Sequence, residues 1–191
     1  MPRRIPEILT DDERLALLAA PSRRAPTGIR NRAMIAIMLD AGLRCAECCG
    51  LGLRDVDADT GQITVRQGKG RKDRIVWAGT QALDAIAAWL RVRPEGDGPL
   101  FTTLDGGPIY TSYVRAMMDR MEKRAGIQHN VSPHTLRHTC ATDLLRQTGN
   151  LRIVQRALGH SSISTTTIYT HIVDDELADA MRKLRGGEKR K

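Results

Sequence analysis

The 191-residue chain is expected to adopt an α+β fold that is mainly α-helical, with one small antiparallel β-hairpin. Helical periodicity is the first reason: apolar residues recur three or four apart in most segments, as in helices that bury one face. The second is a single change of period within 55–79. There Ile63 and Val65 alternate with Thr64 and Arg66, and Ile75, Val76 and Trp77 make another β-rich run. Between them lies the glycine-rich basic stretch 68–72, which reads as a hairpin turn.

In chain order, residues 1–9 carry two prolines and a basic pair and read as a linker or arm. Thr10-Asp11-Asp12-Glu13 makes a capping box that opens a helix to about residue 20, with Leu15, Leu17 and Leu18 as its apolar stripe. Pro21 and Pro26 interrupt the chain before a second helix over 28–40, whose Ile35, Ala36, Met38 and Leu39 should be buried. Gly42 should end it as a left-handed cap. Arg44 begins a short helix towards residue 51, with Glu47 one turn on and able to pair with it. After the hairpin, 80–93 is helical with Leu83, Ile86, Ala87 and Leu90 on its apolar face. A Gly- and Pro-rich loop covers 94–108, with Leu100 and Phe101 as a buried contact. Helices are expected over 111–125, ended by Gly126, and over 132–147. Asn150 caps the next, which Gly159 ends. Residues 164–170 should form a short helix or turn, 174–184 a final amphipathic helix, and 186–191 a basic tail.

With 41% hydrophobic residues the chain can build a sizeable core, and 30 Lys+Arg against 22 Asp+Glu give a formal charge of +8. A polyanionic partner fits that balance. Two Trp, three Tyr and one Phe are too few for rows of stacked bases, which argues against a single-strand binding platform. No apolar run is long enough to cross a membrane and no signal core opens the chain, so a cytoplasmic protein is expected. Cys45 and Cys48 form a C-x-x-C, but no second pair follows at zinc-finger spacing. Together with Cys49 and Cys140 they read as small buried helical side chains in a reducing compartment.

The most informative stretch is 132–171. Ser132 is a good N-cap and Pro133 suits the first helical position. His134 and Arg137 then share one face of the first turn, where free N–H groups and the helix dipole favour an anion. A cation and an imidazole there suggest a bound phosphate. Further on come a second imidazole, His160 just past Gly159, and a lone tyrosine, Tyr169.

This order, H-x-x-R, then L-G-H, then a tyrosine nine residues later, resembles the tyrosine recombinase (phage integrase) family. Two upstream motifs extend the resemblance. Ala41-Gly42-Leu43-Arg44-Cys45-Ala46-Glu47 is similar to the family's first arginine motif, and Gly68-Lys69-Gly70-Arg71-Lys72-Asp73-Arg74 to its lysine-bearing turn. Four motifs in the family's order are far more specific than any one, since a lone C-terminal tyrosine is usually packing and an Arg–Glu pair usually a weak surface contact.

The resemblance implies a tyrosine recombinase-like catalytic domain over 10–185 and site-specific cutting and rejoining of double-stranded DNA through a 3′-phosphotyrosine. Integration, excision or inversion of mobile DNA would be the outcome. It assigns Tyr169 as nucleophile, Arg44 and Arg137 as clamps on the non-bridging oxygens, and His160 as a further donor. His134 would take or share the tyrosine proton, and Lys69, chosen over Lys72 because it sits between two glycines, would protonate the leaving 5′ oxygen. His129, His138 and His171 fall outside the matched positions, and Asp143 stands where many relatives carry histidine. Neither a metal nor ATP is required, because the arginines neutralise the phosphate and the bond energy is kept. No cofactor, small-molecule substrate or membrane partner is expected. The family assembles on DNA, so dimers and tetramers are expected there, in a nucleoid-associated setting.

One departure stands out: most relatives place a helical core-binding domain ahead of the catalytic one, and here the capping box at Thr10 already resembles the first catalytic-domain helix. An excised domain and a naturally short form, similar to the single-domain fimbrial-switch invertases, both fit. Two other functions fit the same residues, a DNA-binding regulator that no longer cuts and a type IB topoisomerase. The retained motif residues argue against the first, and the Leu-Gly-His and Tyr-Thr-His contexts against the second.

Overall fold

The computed structural model describes residues 7–66, 73–159 and Met181. Ten short elements follow one another: α1 (Asp11–Ala19), α2 (Pro26–Ala41), α3 (Cys45–Gly50), a 3-10 turn (Leu53–Asp55), β1 (Gln62–Val65), β2 (Arg74–Trp77), α4 (Thr80–Leu90), α5 (Thr111–Ala125), α6 (Pro133–Thr148) and α7 (Leu151–Leu158). The fold is therefore mainly helical with a two-stranded antiparallel sheet, paired Gln62 with Trp77 through Val65 with Arg74. The expected helices 164–170 and 174–184, the arm's first residues and the basic tail lie outside the described residues.

Helix α2 is the axis of the core. Ala33 through Leu39 are all buried, and the helix packs against α4 on one side and α6 on the other. A helix that is apolar all round must be buried all round. Two of its polar residues are enclosed as well, Arg30 and Asn31: Arg30 donates to the Thr102 carbonyl at 2.7 Å and lies over the Tyr113 ring. Helix α1 packs on α5, and α7 on α6 and β2. The N-terminal arm reaches the core by its last residue, since Leu9 is buried and its N–H donates to Thr139 Oγ1 at 3.0 Å.

The caps form as expected. Thr10 and Glu13 make the reciprocal box of α1, Ser132 accepts from the Thr135 N–H, and Asn150 accepts from those of Arg152 and Ile153. Gly42, Gly126 and Gly159 close their helices with positive φ. Pro26 opens α2 as its first residue instead of breaking the chain ahead of it, since the missing N–H costs nothing there.

Two apolar stripes are phased differently from expectation. In α1, Leu17 and Leu18 are buried while Leu15 is 62% exposed. In α4, Ile86 is buried as expected, but Leu90 and Ala87 are exposed, Leu83 is only half-buried, and Ala82, Ala85 and Trp89 take the inner face. The indole explains the phase: Trp89 is fully buried and its N–H donates to the Leu100 carbonyl at 2.8 Å. Helix α4 also stops short of residue 93, where Arg93 turns back to donate to the carbonyls of Pro94, Gly96, Pro99 and Leu100.

Candidate active site

The site is built where four helix ends meet. Gly42 ends α2 with φ 58° and turns the chain, and a Cβ there would lie 2.8 Å from Leu158 Cδ2 and 3.1 Å from Cys140 Sγ. Glycine is thus required twice, by the left-handed backbone and by the approach of α6 and α7. Two residues on, Arg44 is the N-cap of α3. Glu47 reaches back to the Arg44 N–H and accepts from its guanidinium, both at 2.7 Å.

Glu47 holds more than one arginine. Arg74, the first residue of β2, donates through both terminal nitrogens to the two carboxylate oxygens, each at 2.7 Å. Arg137, on the first turn of α6, lies 4.0 Å from the same carboxylate. The Arg74 and Arg137 side chains are 8% and 7% exposed, while that of Arg44 is 34% exposed, so Arg44 is the most open of the three. Burial by itself would raise the Glu47 pKa. The hydrogen bonds from Arg74 and from the Arg44 N–H, with the surrounding charge, outweigh it and hold the carboxyl at about 2. Three guanidiniums around one carboxylate leave a positive pocket suited to an anion.

The same arginines grip the C-terminus of α7. Arg74 Nε donates to the Ala157 carbonyl at 3.0 Å, Arg137 to that of Leu158 at 2.5 Å, and Arg44 to that of Gly159 at 3.3 Å. Arg137 also donates to the Gly42 carbonyl at 2.6 Å. Cations at the negative end of a helix are favourable, and each bond satisfies a carbonyl that the helix cannot. Gly159 is therefore delivered to the pocket, and His160 is the next residue in the chain.

Of the six residues singled out from the sequence, Arg44 and Arg137 converge on one carboxylate and one helix end. His134 lies one turn before Arg137 on α6 and is exposed. Lys69, His160 and Tyr169 lie outside the described residues. His138 is half-buried; burial first, then the charges of His134 and Arg137, lower its pKa, so it stays neutral near pH 7. His129 meets Glu13 at 3.0 Å, a contact that ties the approach to α6 onto α1. Asp143 pairs with Arg14 at 2.7 Å. All four cysteines are free, but only Cys48 is fully buried; Cys45, Cys49 and Cys140 are partly buried, a correction to the expectation for them. Burial raises the Cys140 thiol to about 12.

The residue that sequence reading passed over is Arg74. It closes the basic turn motif, yet no role attached to it. Alternation along β2 carried a signal, because Arg74 shares the inward face with buried Val76, and an inward arginine needs acceptors for its guanidinium.

The arrangement of helices and hairpin is that of tyrosine recombinase catalytic domains. The crystal structure of XerA recombinase superposes with a TM-score of 0.83 at 37% identity, over 96% of this chain and 67% of that one. XerH recombinase, captured on its difH substrate after cleavage, gives 0.79 at 29% identity, over 93% of this chain and 53% of that one. The chain belongs to the phage integrase family, whose model matches residues 7–176. It is 40% identical over 190 residues to the tyrosine recombinase XerC of Halalkalibacterium halodurans, covering 94% of this chain and 62% of that protein. The chain thus spans about three fifths of that relative's length.

Proposed function

We propose that the chain is the catalytic domain of a site-specific recombinase that cuts and rejoins double-stranded DNA through a 3′-phosphotyrosine. The observation that carries the reading is the convergence of Arg44 and Arg137, far apart in sequence, on Glu47 and on the end of α7. Family membership supports it, as does the structural likeness to XerH, a relative captured on cleaved DNA.

In this reading the Tyr169 phenol oxygen bonds to phosphorus as the bond to the 5′ oxygen breaks. His134 accepts or shares the phenol proton, a contribution of about 10²–10⁴-fold, and Lys69 supplies a proton to the leaving oxygen. Arg44 and Arg137 hold the non-bridging oxygens, where planar forks do better than lysine, and His160 adds a donor. The phosphotyrosine keeps the bond energy, so the 5′ hydroxyl of another strand can attack it and reseal the DNA. We place the domain at 10–185, acting on nucleoid DNA in the cytoplasm, as dimers or tetramers that form on the DNA.

The test is covalent trapping on nicked duplex DNA. Wild-type protein should form the adduct in excess EDTA, because arginines, not a metal, neutralise the phosphate. Tyr169→Phe should bind the duplex but form none. An adduct in Tyr169→Phe, through Tyr110 or Tyr113, would sink the assignment. Light scattering with and without a recombination site checks assembly, and a tetramer free of DNA would contradict it.

A further inference from the structure

We propose that Arg74 is a positioning residue of the reaction: through Glu47 it sets the direction of the Arg44 guanidinium, and through the Ala157 carbonyl it sets the end of α7. The inference rests on the recombinase reading above and adds a residue to which that reading gives no role.

The geometry separates Arg74 from its two neighbours. With a side chain 8% exposed, it is enclosed by the contacts it makes. Its three nitrogens are directed to three acceptors: Nη1 and Nη2 to the two Glu47 oxygens at 2.7 Å, and Nε to Ala157 O at 3.0 Å. Lysine has one nitrogen and cannot satisfy that set. Arg44, in contrast, is held by a single guanidinium bond to Glu47, supplemented by a long one of 3.3 Å to Gly159 O. The more open arginine thus leans on a carboxylate whose two oxygens are fixed in a plane by the closed one.

Without Arg74, Glu47 keeps its bonds to Arg44 but is free to rotate, and the α7 end loses one of its three guanidinium contacts. Both changes fall on groups that would face the phosphate. Arg74 also opens β2, the strand that follows the lysine-bearing turn, so it ties that strand directly to α3 and α7. A misplacement of about 1 Å at a reacting centre can cost about 100-fold in rate.

A second consequence distinguishes positioning from mere stability. Among the described residues, the charged or titratable groups facing Glu47 are Arg44 and Cys48, the cap and a residue of α3, Arg74 on β2 and Arg137 on α6. Of the hydrogen bonds that keep Glu47 ionised, those from Arg74 are the strongest. Removing them takes away the largest of these bonds, so the carboxyl rises from its depressed value although Arg44 still holds it. Residual cleavage should then fall as the pH drops, because a protonated Glu47 no longer holds Arg44.

The experiment compares wild type, Arg74→Gln and Arg74→Lys, using the full chain on nicked duplex DNA. Single-turnover cleavage is followed from about pH 4.5 to 8, alongside duplex affinity and thermal melting. Arg74→Gln should cleave about 100-fold more slowly with affinity unchanged, and its rate should fall more steeply towards acid pH than that of wild type, an extra acid limb beyond the one that His134 as proton acceptor gives both. Adding Glu47→Gln should remove that limb. Arg74→Lys, which keeps the charge beside Glu47, should show a smaller loss and a smaller extra limb, and it decides the matter if the Gln variant does not fold. Wild-type rates in a folded variant would overturn the proposal, as would a slower rate without that extra acid limb. Wild-type protein that forms no adduct would sink the recombinase reading itself, and this proposal with it.

Discussion

Around α2 the side chains that meet are apolar, and most are shielded completely: Met34, Ile35, Ile37, Met38, Phe101 and Met117 have no exposed surface. At the other extreme, α7 joins the body through a small cluster, Ala141, Leu145, Val154 and Leu158, and then through guanidiniums on its last carbonyls. The first region depends on removing hydrocarbon from water, the second on charge placed against dipole and carboxylate. Apolar packing tolerates any pH but no loss of volume. The arginine-held end depends in addition on Glu47 staying charged. Of the catalytic candidates, Arg44 and Arg137 sit in the second region, where groups must stay charged and directed.

The strongest test of that contrast is in the apolar half. Trp89→Ala removes a fully buried indole and leaves the Leu100 carbonyl without that donor, so it should cost about 3–5 kcal/mol. Denaturant unfolding measures it, and a cost near zero would mean that α4 does not anchor the core.

The next test is in the polar half and uses pH. The Glu47 pKa is depressed to about 2 in the folded state. Its contribution is therefore fully present above the unfolded value of about 4.3, and is lost as the pH falls from there towards 2. Allowing for solvent screening, it should be about 2 kcal/mol. The difference in stability between wild type and Glu47→Gln should shrink across that window, with Trp89→Ala showing no such dependence. A difference that stays constant down to pH 2 would contradict the ion-pair account.

The smallest effect belongs to a pair that resembles the site in kind but not in burial. Arg14 and Asp143 bridge α1 and α6 at 2.7 Å, with side chains 37% and 33% exposed. Asp143→Ala should cost only about 0.2–1 kcal/mol, and less in high salt. A loss comparable to that of Glu47→Gln would show that exposure is not what separates the two.

Much of this was legible in the sequence because it is written locally. Thr10, Ser132 and Asn150 cap their helices through neighbours within three residues, and Gly42, Gly126 and Gly159 mark the stops. The phase of α1 and α4 was not legible, because both carry apolar residues on more than one face. In α4 an indole reaching a carbonyl eleven residues away decides which face is inner. The pairing of Arg44 with Glu47 could be read from one turn of helix. That Arg74 and Arg137 join them could not, since both arrive from distant segments, and alternation along β2 says only that Arg74 points inward, not what it meets. Asp143 gains only a structural reading, as the partner of Arg14.

The grip of three arginines on the α7 end bears on how the pocket would receive DNA. A free arginine side chain carries about 2 kcal/mol of rotamer entropy, which a flexible receptor must give up when its ligand arrives. Here Arg74 and Arg137 are already immobile, held by carbonyls that never leave. The ordering has taken place during folding, and a phosphate meets a receptor whose shape is set before contact. Such a receptor would be selective about geometry: of the three arginines only Arg44, the most open, could follow a phosphate displaced along the duplex.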